Sequence, residues 1–429
     1  METRVNLEVK ELNEQGKTLF SCSKYAEAIQ KYKKALEIDS SDIKTYYNLC
    51  ESYIMADLYD DAKRAMKKVL LTDRNQGEAY FHLGNIALLE NNFEEGRIQY
   101  AKAINANFDI PQIYINLGSV AEEQGDLEEA VKYYTKAIAR DRLNYEAKIR
   151  RIQIYMEVNK IQEALDATDD LIETNPEIFE GHHYKFVILS ESGHYQEAEE
   201  TVNKAQRLFP DDQGFMLDRV KLYELKKQYD KALELIETIK PTDDTKAPIL
   251  LEKAYLLVLT DKQEEAKQLL QGYTGPASAE IDRMLMLIYL DEKDGEKMES
   301  YASNILNQES YDSNYFYALY FKAYALKIQE KNEEATKAYQ FALKQLQQAC
   351  SINSGVLDLY LLRAICYREV KNYQKANEML DYVSTVKDDI AEVHYVRYLV
   401  YKDLQDGRAE EELARAKQLN EDVAKMFGE

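Results

Sequence analysis

Tryptophan is absent from this chain, and the residues that break up secondary structure are scarce, with 15 glycines and 6 prolines in 429 residues. An all-β fold needs a turn signal about every ten residues, so that class is excluded. Cysteine is sparse too. Cys22, Cys50, Cys350 and Cys366 show neither a C-x-x-C spacing nor a disulfide framework, which fits a reducing cytoplasm. Among the five histidines, His182 and His183 are neighbours on a helix and point in different directions, so no converging metal site is expected. Long apolar runs are missing as well. Residues 249–259 and 284–290 are too short to span a bilayer, and Glu252 and Lys253 interrupt the first. The start, Met1-Glu2-Thr3-Arg4, is charged with no apolar stretch behind it, and no secretory leader is expected. Positive charge is in deficit: 55 basic against 77 acidic residues leave −22. Such a surface repels phosphate backbones, so a nucleic-acid partner is not expected. The acid serves either solubility of a large surface or attraction of a basic partner, and composition does not separate the two.

What the chain has is a period. At a step of 34 residues stand Ala28, Ala62, Gly96, Ala130, Ala164, Ala198, Ala232 and Ala266 without insertion or deletion. Four places later come Tyr32, Met66, Tyr100, Tyr134, Val202, Ile236 and Leu270, with Thr168 the exception. Three further on are Ala35, Val69, Ala103, Ala137, Leu171, Ala205 and Ile239. Spacings of 4 and 3 put these columns on one helical face. An earlier helix in each unit carries Leu49, Leu83 and Leu117, each followed by a small residue (Cys50, Gly84, Gly118), with Gly16 the first equivalent. Short polar turns such as Gln124-Gly125-Asp126 separate the two helices. Each unit is therefore helix, turn, helix, and the small residues let the two helices approach closely.

This pattern resembles the tetratricopeptide repeat family, most plainly in Tyr114, Leu117-Gly118, Gly125, Ala130, Tyr134 and Ala137, with closing prolines at Pro176 and Pro210. Ile152, Phe186 and Val220 depart from it, and helix spacing is the feature in question there. The resemblance implies an all-α, right-handed superhelical α-solenoid. Residues 1–8 are expected as a lead-in, 9–280 as eight regular units, 281–424 as about four irregular ones and 425–429 as a tail.

Signals for chemistry are few. Gly16-Lys17-Thr18 resembles the end of a phosphate-binding loop, but position 11 is Glu and the triplet lies within a helix. No catalytic residues, metal or cofactor are expected, and the chain is not expected to be an enzyme.

In this family the first helix of each unit faces the concave side. Its sixth place reads Asn48, His82, Asn116 and Arg150, and its ninth Asn85, Ser119 and Gln153. Carboxamides both donate and accept, so such a column suits an extended peptide backbone, and any solvated inner face would also be polar. The fifth place reads Tyr47, Phe81, Ile115 and Ile149, apolar groups fit to receive a side chain. Acid comes from Glu122, Glu123, Glu157 and Glu191, with Glu78, Glu146 and Glu180 at the second place, interrupted by Arg150 and Arg151. Some relatives clamp a terminal carboxylate with Lys and Asn, then Asn, then Lys and Arg. Lys44 and Asn48 match the first part, but His82, Gln112 and Asn116 follow, so the cationic end is missing. The aromatic run Tyr315, Phe316, Tyr317, Tyr320, Phe321 and Tyr324 goes all round its helix and is read first as burial between neighbouring helices, with a second binding or self-association surface as the alternative. The expected function is a scaffold or adaptor holding a protein or peptide, with a basic segment as one possibility and no membrane contact. Self-association through the irregular units, or sensing of a short peptide, are the alternatives, and the oligomeric state is not legible.

Overall fold

The computed structural model describes residues 2–424 other than 244, 309, 353, 354, 388 and 422, and the tail 425–429 lies outside the described residues. Among those residues there are helices and no strand. The chain divides into two compact bodies, residues 1–218 and 219–429. The first contains α1 (Glu2–Ser21), α2 (Tyr25–Ile38), α3 (Ile43–Ile54), α4 (Tyr59–Thr72), α5 (Gly77–Leu89), α6 (Phe93–Asn105), α7 (Pro111–Glu123), α8 (Leu127–Arg140), α9 (Tyr145–Glu157), α10 (Ile161–Thr174), α11 (Phe179–Glu191) and α12 (Tyr195–Leu208). The division falls within α13 (Gln213–Leu225). The second body holds α14 (Tyr229–Thr238), α15 (Lys246–Leu259), α16 (Gln263–Gln271), α17 (Ala279–Asp291), α18 (Gly295–Leu306), α19 (Ser313–Ile328), α20 (Asn332–Ile352), α21 (Leu357–Glu369), α22 (Tyr373–Val386), α23 (Ala391–Asp403) and α24 (Ala409–Leu419). From α1 to α12 and from α14 to α24 each helix packs on the next, and some odd-numbered helices, such as α9 with α11 and α19 with α21, also touch across the one between. Neighbour-only contact is the arrangement of a solenoid.

The turn inside each hairpin has one recurring form. A single residue takes the left-handed conformation: Ser23, Asp57, Asn91, Gly125, Asn159 and Gly193 in the first body, then Lys227, Asp261, Lys293, Glu330, Lys371 and Gln405. The next N–H donates to a carbonyl five residues back, as in Lys24 to Leu19, Leu58 to Tyr53 and Asn372 to Tyr367, at 2.8–2.9 Å. This satisfies a carbonyl left over at the helix end and reverses the chain. The left-handed residue recurs every 34 residues from 23 to 261. Then the step is 32 (261 to 293), 37 (293 to 330), 41 (330 to 371) and 34 (371 to 405).

Packing inside the hairpin follows a rule of compensating volume. A Cβ on Gly16, Gly84 or Gly118 would lie 2.5–2.7 Å from the ring of Tyr32, Tyr100 or Tyr134, each sixteen residues later. Those tyrosines are fully buried. Where the first residue of the pair is larger, the second is smaller: Cys50 with Met66, Ile152 with Thr168 and Phe186 with Val202, all buried. Ile152 and Phe186 therefore need no wider helix spacing, because Thr168 and Val202 give up the space that Tyr occupies elsewhere. The second body continues the rule with Ala254 and Leu270, Met286 and Ala302, Ala323 and Tyr339, and Ala364 and Leu380, all buried.

Longer steps come from longer helices. α19 has 16 residues and α20 has 21, against 13 or 14 in most of the others. Of the aromatic run on α19, Tyr320 and Phe321 are buried, while Tyr315, Phe316, Tyr317 and Tyr324 are half-buried.

Candidate peptide-binding surface

The inner columns of the first body sit on α3, α5, α7 and α9. Placing Gly84 against Tyr100 and Gly118 against Tyr134 does more than fill the core. Each tyrosine ring passes under the first helix and delivers its hydroxyl to the polar face beyond. Tyr100 Oη donates to Asn85 Oδ1 at 2.7 Å. Asn116 Nδ2 donates to the same oxygen at 3.1 Å and to Tyr100 Oη at 2.8 Å. Gln112 Nε2 closes the chain on Asn116 Oδ1 at 3.0 Å. One repeat onward, Tyr134 Oη donates to Glu122 and lies 3.3 Å from Ser119 Oγ. The amide ladder is thus a network braced by core tyrosines, and Asn116 is already committed to it. Tyr100 is pushed well above its ordinary pKa by burial, so it remains a neutral donor.

Other ladder positions differ from one another. Asn48 is half-buried, and its carboxamide makes no hydrogen bond among the described residues. His82 is buried between Tyr47 and Phe81, with ring centroids 5.5 and 5.6 Å away. Burial lowers its pKa to about 4, so it presents a neutral imidazole at neutral pH. Gln153 Nε2 donates to Tyr184 Oη at 2.7 Å. Arg150 and Glu157 are exposed, as is Lys44. Tyr47 is buried, its hydroxyl donating to Gln76 at 3.3 Å, and burial pushes its pKa up to about 12. Ile115 is buried as core, not displayed in a groove. Phe81 stands half-buried against Tyr100 and Phe108. The adjacent histidines do diverge: His182 bonds the Pro176 carbonyl at 3.0 Å and His183 bonds Asp218 at 3.0 Å.

Six of the anticipated residues converge on one cavity of about 580 Å³: Phe81, His82, Asn85, Asn116, Ser119 and Glu123. Lys44, Tyr47, Asn48, Gln112, Ile115, Arg150, Gln153 and Glu157 do not line it. Sequence reasoning missed the rest of its wall, which comes from helix ends: Phe20, Ile54, Met55, Leu88, Leu89 and Phe93, with Glu51, Asn91, Tyr100 and Val120. Met55 and Leu89 are about half exposed, 51% and 50%. They occupy the thirteenth place, where the downstream Glu123 and Glu157 drew attention to charge instead. Glu51 and Glu78 both have raised pKa values, from burial and, at Glu78, from the neighbouring charge of Glu51. Neither these two nor Glu123 has an ion-pair partner among the described residues. The site is an apolar hollow with an amide edge and unneutralised carboxylates.

Models of the tetratricopeptide repeat match residues 16–55, 52–109, 121–180 and 187–247, which together take in about half of the chain. The chain is a tetratricopeptide repeat protein. Among solved structures, yeast Tom70 aligns over 96% of this chain and 99% of its own at 15% identity, with a TM-score of 0.50. A tetratricopeptide repeat protein from Parabacteroides merdae covers 66% of this chain and 99% of its own at 18% identity, with a TM-score of 0.40. No curated protein sequence matches the chain. At 15% identity the likeness to Tom70 is one of fold alone. No described helix is long and apolar enough to cross a membrane.

Proposed function

We propose that this tetratricopeptide repeat protein is an interaction scaffold that holds a peptide segment across α3, α5 and α7. The observation that carries the reading is the cavity of about 580 Å³, where Phe81, Met55 and Leu89 offer apolar surface beside the free amide nitrogen of Asn85. A large apolar side chain of the partner enters the hollow, because filling it removes apolar area from water on both sides. The Asn48 carboxamide and the Asn85 amide nitrogen, unused among the described residues, are free to bond the partner's backbone. Glu51 and Glu123, which line the hollow, and Glu78 beside Glu51 favour a lysine or arginine next to the apolar anchor, since none has an ion-pair partner among the described residues and a cation relieves the repulsion between Glu51 and Glu78.

The test avoids the braced ladder, because removing Asn116 or His82 would disturb Tyr100 and Tyr47. Met55→Arg with Leu89→Arg changes half-exposed residues only. Affinity capture from the source cell, wild type beside this variant at matched helicity, should lose the partner about tenfold or more with the variant. Equal recovery of every partner would remove the cavity from consideration.

A further inference from the structure

The residues that lengthen the repeat in the second body also wall a cavity. The N-terminal part of α19, the last turns of the overlong α20 and the start of α21 enclose a groove of about 660 Å³. Phe316 and Tyr317 come from α19, Ala349 and Ile352 from α20, and Leu359 and Leu362 from α21. Tyr311 and Ile352 at its mouth are 73% and 80% exposed. Two large apolar side chains this open to water line the same groove, an exposure that a bound partner would relieve. The volume falls within the range of preformed ligand sites.

Two carboxylates edge this groove. Asp312 caps α19, accepting from the Tyr315 N–H at 3.2 Å and from Ser310 Oγ at 3.1 Å. Asp358 lies in the first turn of α21. Neither forms an ion pair among the described residues, and the other polar lining groups, Gln345, Gln348 and Ser313, are uncharged. Arg283 on α17 stands over the Tyr317 ring at 5.0 Å and donates to Asn314 at 3.3 Å, and Arg363 on α21 lies against the Tyr360 and Tyr367 rings, so the groove is flanked by two held cations while the charged groups of its own lining are carboxylates only. A second copy of the chain is a poor occupant, because each carries a net charge of −22 and would meet an acidic edge.

We propose that this groove is a second docking site, independent of the first, for a segment of another protein bearing large apolar side chains flanked by lysine or arginine. Apolar side chains fill the space between α19, α20 and α21, and the flanking cations meet Asp312 and Asp358. The wall from α20 depends on its 21 residues, where second helices of the regular repeats such as α4, α6 and α8 have 13 or 14.

The probes are two fluorescein-labelled twelve-residue peptides with leucines four apart, one flanked by lysines and its twin by glutamates. Anisotropy titrations use the full chain, the Tyr311→Lys/Ile352→Lys variant, Asp358→Asn, and Met55→Arg/Leu89→Arg. The lysine-flanked peptide should saturate on wild type and on Met55→Arg/Leu89→Arg. In the Met55→Arg/Leu89→Arg background, which removes the first site, adding Tyr311→Lys/Ile352→Lys should weaken binding at least tenfold at unchanged helicity, and adding Asp358→Asn several-fold with a flatter salt dependence. The glutamate twin should bind at least tenfold more weakly. Absence of saturable binding, equal binding of the twins, or equal binding to the groove variant would overturn the proposal. So would light scattering that finds wild type dimeric and Tyr311→Lys/Ile352→Lys monomeric, since a second copy would then fill the groove.

Discussion

Residues 1–218 and 219–429 use the same hairpin but place it differently. In the first body the left-handed turn residues recur every 34 residues, whereas in the second the step passes through 32, 37 and 41. The inner packing of the hairpin is indifferent to this, because the sixteen-residue pairing of a first-helix residue with a second-helix residue persists in both. What varies is helix length beyond the paired positions. Regularity and irregularity therefore have separate physical bases: the turn and the volume pair fix the hairpin, and the overhangs are free to build sites. The first body makes its candidate site from columns that the period repeats. The second makes its groove from residues that the period does not contain.

The largest effect that would break this comparison is a violation of volume pairing in each body. Gly118→Ile drives a side chain into Tyr134, where even a Cβ would lie 2.7 Å from the ring. Ala323→Ile does the equivalent against Tyr339, both residues being buried. Each should cost about 3 kcal/mol. Adding Tyr134→Thr or Tyr339→Thr copies the natural pair Ile152 and Thr168, so each double variant should be more stable than the sum of its singles by about 1 kcal/mol or more. Hydrogen exchange read hairpin by hairpin measures both. Full tolerance of Ala323→Ile would confine the rule to the regular body.

The sequence displayed this fold openly because its packing residues repeat: Gly84, Gly118, Tyr100 and Tyr134 mark the same two positions. Compensation at Ile152 and Thr168 was equally visible but spread over two columns, each of which looks like an exception alone. The site was legible in part. A column of amides shows where an inner face lies, but not that Asn116 is held by Tyr100 and Gln112. The hollow was not legible, because Phe20, Met55 and Leu89 come from helix ends that adjoin only after stacking. The groove on α19–α21 was hidden for the opposite reason, since inserted residues have no column to be compared with.

A middle-sized effect separates the bodies by pH. His82 titrates near 4 in the folded chain because burial disfavours its cation, against about 6.5 when unfolded. The unfolded state thus takes up a proton that the folded state refuses as pH falls from 6.5 towards 4. Stability present above 6.5 is lost across that window, by up to about 3 kcal/mol. Glu252 behaves in the reverse sense: burial first, then the charge of Glu224, raises its pKa to about 7 against the opposing pull of Lys221. Its hairpin is most stable below the usual carboxylate pKa and loses stability as pH rises towards 7. His183, raised by its bond to Asp218, also favours acid, as do the raised carboxyls of Glu51 on α3 and Glu78 on α5, so the His82 contribution is read as the difference between wild type and His82→Gln. Hydrogen exchange corrected for intrinsic rates should show protection around α5 falling and around α15 rising on acidification from pH 7 to 5. His82→Gln and Glu252→Gln should each flatten their own response.

The smallest effect sharpens the comparison at the turns. The left-handed residues of the first body include Asn91, Asn159, Gly125 and Gly193, types that accept this conformation readily, whereas in the second body only Asp261 is of such a type beside Lys227, Lys293, Glu330, Lys371 and Gln405. A side chain with a Cβ pays roughly 1–2 kcal/mol in that region. Glycine relieves this strain, but it also gives the unfolded chain more freedom, which returns about 0.5–1 kcal/mol. Glu330→Gly and Lys371→Gly should therefore stabilise the second body by about 0.5 kcal/mol each. Asn91→Gly should be near neutral, and Gly125→Lys should cost about 1 kcal/mol. Neither Glu330 nor Lys371 has a side-chain partner among the described residues that glycine would forfeit. Urea midpoints on the full chain, with hydrogen exchange to assign the change to α19–α22, would resolve shifts of this size. A destabilised Lys371→Gly would show that these turns are held by their side chains rather than strained by them, and the two bodies would then differ in turn chemistry as well as in step.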